Sequence, residues 1–113
     1  MKLEIRDIHC ADIDLNGGEI PRDPRSFSLP FQLTIGVTGE TGADNYSILV
    51  TTCDFIESLE KGEKCILIPV YLQNLLEKIF DDLVSFCQCQ ADPFAALREI
   101  FEWEYEGYIL DED

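Results

Sequence analysis

The residues with the most chemical potential sit near the start of the chain. His9, Cys10, Asp12 and Asp14 follow one another as H-C-x-D-x-D, which gathers an imidazole, a thiolate and two carboxylates. Structural zinc needs four ligands at recurring spacings, and nothing further along completes such a set, so these residues read as a strand end running into a polar loop. Cys87-x-Cys89 resembles half of a metal clip. On a helix, however, residues two apart point to nearly opposite sides, so the pair reads as a core cysteine and an exposed neighbour. His9 is the single histidine, and no G-x-S-x-G turn accompanies it to present a nucleophile. The glycines form neither a phosphate loop nor a dinucleotide fingerprint. Carboxylates are so frequent, 23 Asp and Glu in 113 residues, that some will be paired by chance. No catalytic residue, no metal and no cofactor is expected, and the chain reads as a binding protein and not as an enzyme.

The elements that must position any binding surface follow from periodicity. Residues 2–8 alternate, with Leu3 and Ile5 on one face and Glu4 and Arg6 on the other, and read as a first strand. Residues 10–25 carry Gly17-Gly18, Pro21 and Pro24 and few large apolar groups. That is a long connection for a small domain, a kind often tied to function. Between 26 and 37, Phe27, Leu29, Phe31, Leu33, Ile35 and Val37 alternate with mostly polar partners, which specifies a strand with one buried and one wet face. Pro30 has no N–H to give to a ladder and belongs at an edge or a bulge. A turn at 39–42 leads to Tyr46, Ile48 and Val50, so the pair is a hairpin.

Asp54 with Glu57 fits a capping box opening a short helix, Phe55–Lys61, that stops at Gly62. Residues 65–70 could be strand or helix entry. From Tyr71 to about Cys89, Leu72, Leu75, Leu76, Ile79, Phe80, Leu83, Val84 and Cys87 form a helical stripe. Asp92-Pro93 caps a second helix with Phe94, Leu97, Ile100 and Phe101 buried. Residues 102–106 then alternate acid and aromatic. A helix would align Glu99, Glu102 and Glu106, which repel; a strand places the aromatics on the sheet and the acids in water, and a final short strand is expected. The fold class is α+β: one domain over 1–113, with an antiparallel sheet of about four strands including a central hairpin, packed on two C-terminal helices plus one short helix.

Charge narrows the partner. With eight Lys and Arg the net charge is −15, and it is uneven. Residues 1–64 hold twelve acids and six bases, residues 65–113 eleven acids and two bases. Such a surface repels phosphate backbones and anionic lipid and steers cationic partners towards it. Neither nucleic acid nor a membrane is expected as a direct partner. Five cysteines with irregular spacing, no leader-like opening and no long apolar run point to a reducing compartment, the cytoplasm.

Three segments carry a resemblance. The opening LEIRDIH, the stretch FSLPFQLTIGVTGETGADNYSILVTT and the closing WEYEGY together resemble the immunity protein 8 family of bacterial polymorphic-toxin systems, with G-x-x-G-A-D-N plus an aromatic as the most specific part. The chain departs from the family pattern at Thr51–Phe55, which reads TTCDF where a Pro and a Trp are expected, and in the loop 10–25. The resemblance implies a small cytoplasmic α+β protein that binds and neutralises a cognate toxin and has no catalytic motif. Many such toxins are nucleases with basic clefts, so the expected partner is a basic toxin domain met by a monomer. The expected contact residues are Glu102, Glu104 and Glu106 on the last strand, about 7 Å apart, with Asp12 and Asp14 in the 10–25 loop. A secretion-type chaperone is the competing reading. It calls for a dimer with an apolar groove, which the polar outer face of 26–37 does not offer.

Overall fold

Strict alternation gives a strand two unlike sides, and the molecule is arranged around one such strand. A computed structural model of the chain describes residues 2–58 and 64–104. Ser28–Val37 forms β2 and Ala43–Thr51 forms β3, paired antiparallel from Ser28↔Thr51 to Gly36↔Ala43. This is the expected hairpin. Gly39 makes its turn at φ 89°, a left-handed conformation that residues with a Cβ resist.

β1, Leu3–His9, lies antiparallel on the far side of β2, from Leu3↔Val37 to His9↔Gln32. The register shifts between Ile5 and Asp7, leaving Arg6 as an extra residue. A bulge of this kind changes the phase of a strand. Leu3 and Ile5 face the core before it, and Ile8 and Cys10 face the core after it. Pro30 lies beyond the end of this ladder, where β2 has β3 on one flank and no β1 on the other. A residue without an N–H is tolerated there.

The other edge of β3 is shared. Cys65–Leu67 (β4) runs parallel to Leu49–Thr51, and Glu102–Trp103 (β5) runs antiparallel to Tyr46–Ser47. The sheet order is β1-β2-β3-β4, with β5 beside β4 on the same edge of β3. The segment after residue 64 therefore begins as a short strand. The last strand is shorter than the expected alternation of 102–106, and Tyr105 and Glu106 lie outside the described residues.

Two helices cover one side of this sheet. α1, Gln73–Gln88, buries Leu76, Phe80, Val84 and Cys87, and α2, Pro93–Ile100, buries Pro93, Ala96 and Leu97. Phe31 of β2 meets Phe80 with ring centroids 5.9 Å apart, and Tyr46 of β3 meets Phe101 at 6.3 Å. Asp92 caps α2 by accepting from the Ala95 N–H at 3.2 Å, as its sequence signature predicts. The Lys64 ammonium donates to the carbonyls of Arg98 and Phe101, where the end of a helix favours a cation.

The stripes need correction. Leu72 and Leu75 by α1, and Phe94 on α2, are exposed and not buried. On α1 the apolar residues span about half the circumference, wider than the strip that one sheet face can cover. The expected Phe55–Lys61 helix is instead a 3-10 helix, Cys53–Ser58, with residues 59–63 outside the described ones. Asp54 does not cap an α-helix. Its carboxylate accepts hydroxyl hydrogen bonds from Ser26 and Thr52, which hold its pKa below the usual carboxylate value.

Candidate protein-binding surface

With both helices on one side, the register assigns every sheet residue to a covered or an uncovered face, because directly paired residues share a face. Leu33, Ile35, Tyr46, Ile48 and Val50 are buried under the helices. Their neighbours point the other way and fall into transverse rows. Asp7 pairs with Thr34, Thr34 with Asn45, and the Glu104 N–H donates to the Asn45 carbonyl at 3.0 Å. His9 pairs with Gln32, Gln32 with Ser47, and Ser47 with Glu102. Each row crosses three strand gaps, about 14 Å. Both rows have uncharged polar residues in the middle and an exposed acid, Glu104 or Glu102, at the β5 end.

The first row is also wired together. Thr34 Oγ1 lies 2.8 Å from Asn45 Oδ1, and the Glu104 carboxylate accepts from the Asn45 N–H at 2.8 Å and from Asn45 Nδ2 at 3.4 Å. Glu104 is therefore held against the sheet, where an extended carboxylate was expected. Arg6 is a cation of this face, and its donors are engaged. Its Nε bonds Glu4 at 2.9 Å, Nη1 bonds the carbonyls of Thr41 and Gly42, and Nη2 those of Val37 and Glu40. Gly36 allows this approach, since a Cβ there would stand 2.7 Å from the guanidinium carbon. Arg6 thus fastens the hairpin turn to β1.

A third row differs in kind. Pro30 pairs with Leu49, and Leu49 with Cys65, while Leu67 two residues on is 44% exposed. The uncovered face is therefore polar with acids towards β5 and apolar towards β4.

The structure places the other predicted contact residues elsewhere. Asp12 and Asp14 are exposed in the loop beyond the end of β1, around an open concavity of about 340 Å³ lined in part by His9, Asp12, Asp14 and Glu19. Asp14 is occupied locally, accepting from the Gly17 N–H at 3.1 Å while its own N–H donates to Glu19 at 2.7 Å. Among the described residues no three His, Cys, Asp or Glu side chains gather as metal ligands. Glu106 lies outside the described residues. Glu102 and Glu104 share a face as expected, and Trp103 turns inward beside Tyr46.

Behind β5 the covered side holds a smaller hollow. Asp44, Tyr46, Phe94, Arg98 and Trp103 line about 240 Å³. Trp103 Nε1 donates to Asp44 at 3.3 Å, and the Arg98 guanidinium stands 5.1 Å from the Trp103 ring centroid. Burial, aided by Asp44, pushes the Tyr46 phenol up to about 12. No group here pairs a nucleophile with a base.

These features make the uncovered sheet face a candidate contact surface. Residues 3–108 match the family model of immunity protein 8. The chain belongs to that family. The match spans the described fold almost entirely, and the resemblance carried by the opening strand, the hairpin and the closing aromatic run is thereby shown. No curated protein and no solved structure matches the chain. As an immunity protein it is defined by what it binds, and Asp7, Thr34, Asn45 and Ser47 join the candidate contact residues on geometry alone. Their signal in the sequence is that the outward positions Gln32, Thr34, Asn45 and Ser47 in the middle of the hairpin are all polar and uncharged.

Proposed function

We propose that this immunity protein neutralises its cognate toxin by binding it directly as a monomer, with the toxin a basic nuclease domain whose cleft the acidic surface occludes. The observation that carries the reading is the family membership joined to a net charge of −15. Glu102 on the last strand and Glu104 just after it stand exposed on one face of the sheet, and Asp12 and Asp14 stand exposed on the loop after β1. A cleft built to hold phosphate accepts carboxylates as counter-charges. Complementary charge across an interface raises the encounter rate and excludes wrong partners more than it adds raw affinity. Binding alone suffices for protection, so the protein works in the cytoplasm without turnover.

The test is the association rate of the purified chain with its cognate toxin domain, followed from about 0.05 to about 0.5 M salt, a range over which the screening length falls several-fold. Steered association slows by roughly tenfold or more. A flat dependence, or a toxin that acts on something other than nucleic acid, contradicts the reading.

A further inference from the structure

The net charge says that the partner is basic but not where it sits. The acids expected to bind lie in two places, the β5 end of the uncovered sheet face and the loop after β1. The two places differ in what surrounds the charge. Around Asp12 and Asp14 the loop residues bond to one another, and the apolar Ile13 is turned into the core. Next to Glu102, by contrast, the sheet face continues into Pro30, Leu49, Cys65 and Leu67, an apolar patch that no described helix covers. Tight interfaces combine these two things, a desolvated apolar centre and a charged rim that keeps water out and sets register.

We infer that the toxin docks on the uncovered face of the sheet, with an apolar side chain seated on Leu49 and Leu67 and cationic side chains on the acid-ended rows beside them. The occupant is a basic protein surface carrying an apolar residue flanked by Arg or Lys, and the inference rests on the basic partner proposed above. Three features support it. First, charge complementarity has one sign across the rows: Asp7, Glu102 and Glu104 are exposed or rim positions, and Arg6 is already bonded through all three guanidinium nitrogens. An incoming guanidinium thus meets carboxylates without a resident cation to displace. Secondly, Glu104 is preorganised by Asn45, so less side-chain freedom is lost on docking. Thirdly, the apolar row lies one two-residue step, about 7 Å, from the Glu102 row, close enough for one partner element to reach both.

Substitutions on this face test the placement without touching the core. Gln32→Arg sets a cation in the middle of a row at an exposed position with no side-chain bond of its own among the described residues, and Leu67→Lys charges the apolar patch. Asp81→Asn, exposed on α1 and away from this face, is the control with the same change of net charge. Dissociation constants are measured with the cognate toxin domain, and circular dichroism with thermal melting checks each fold. Gln32→Arg and Leu67→Lys each weaken binding by about 30-fold or more, as loss of a hot spot does, while Asp81→Asn changes it by about threefold or less. Folded Gln32→Arg and Leu67→Lys variants that bind as well as the parent overturn the placement and leave the basic-partner reading intact. A parent chain that binds its toxin with no salt dependence removes that reading, and loss of binding in Leu67→Lys alone then reduces the site to an apolar one and overturns the role of the rows.

Discussion

The two faces of β2 are made by the same ten residues and answer to different constraints. On the helix side Phe31, Leu33 and Ile35 are each 2% exposed or less, and their volumes are fixed by Phe80 and its neighbours. On the other side Gln32 and Thr34 touch the paired strands and water. Packing dictates the first set, since interiors are close-packed and notice one methylene. Packing constrains the second set far less: Gln32 has no side-chain bond among the described residues, and Thr34 has its hydroxyl bond to Asn45. The difference teaches where to look for function in a small α+β domain: on the sheet face that the fold leaves free.

The comparison breaks if the two faces respond alike to substitution. Phe80→Ala, which empties the contact with Phe31, is expected to cost about 3–5 kcal/mol. Gln32→Arg, one residue from Phe31, is expected to stay within about 0.5 kcal/mol. Urea unfolding of both variants checks the pair, and a Gln32→Arg cost near that of Phe80→Ala would show the free face to be structural.

A smaller effect sharpens the description of the covered side. Tyr46 is neutral when buried, and its pKa is raised to about 12 from 10.0. Below pH 10 it is protonated in both the folded and the unfolded chain and adds no pH dependence. Between pH 10 and 12 the unfolded chain loses the phenolic proton first, so stability falls as pH rises, by on the order of 2 kcal/mol. Melting temperature against pH should show this decline in the parent and a weaker one in Tyr46→Phe.

The smallest effect concerns an imperfection in the core. Tyr71 packs edge-on against Phe27 with centroids 5.6 Å apart, and its hydroxyl is buried without a hydrogen-bond partner among the described residues. Removing an unsatisfied buried hydroxyl while keeping the ring is neutral or stabilising. Tyr71→Phe is therefore expected to raise stability by up to about 1 kcal/mol, and a clear loss would mean that the hydroxyl has a bonding role in solution.

How much of this was legible varies with the range of the interactions involved. The hairpin and the Asp92 cap are local, and their patterns name them. The bulge at Arg6 is only half legible: two polar residues in a row, Arg6 and Asp7, interrupt the alternation between Ile5 and Ile8, but only pairing with β2 shows that Arg6 is the extra residue. Leu72, Leu75 and Phe94 read as core because a helical stripe shows which residues are apolar and not how many the sheet can cover. The site was half visible. Glu102 and Glu104 follow from alternation with Trp103, but their alignment with Asn45 and Ser47, and that of Thr34 with Asp7, depends on register across four strands. Thr34 and Asp7 are distant in sequence, and no spacing rule links them.

The shared edge of β3 bears on how the protein is made. The hairpin, with about half of its residues committed to the core, is synthesised early, but its outer edge waits. Tyr46 and Ser47 receive their strand partner only when residues 102–103 arrive, and Leu49–Thr51 receive theirs from 65–67. A nascent chain stalled between those points carries an unpaired strand edge, the kind of surface that recruits other chains. Pairing over so long a stretch of sequence is also slow to form. The outer edge of the hairpin is thus the last part of the sheet to be completed as the chain is made.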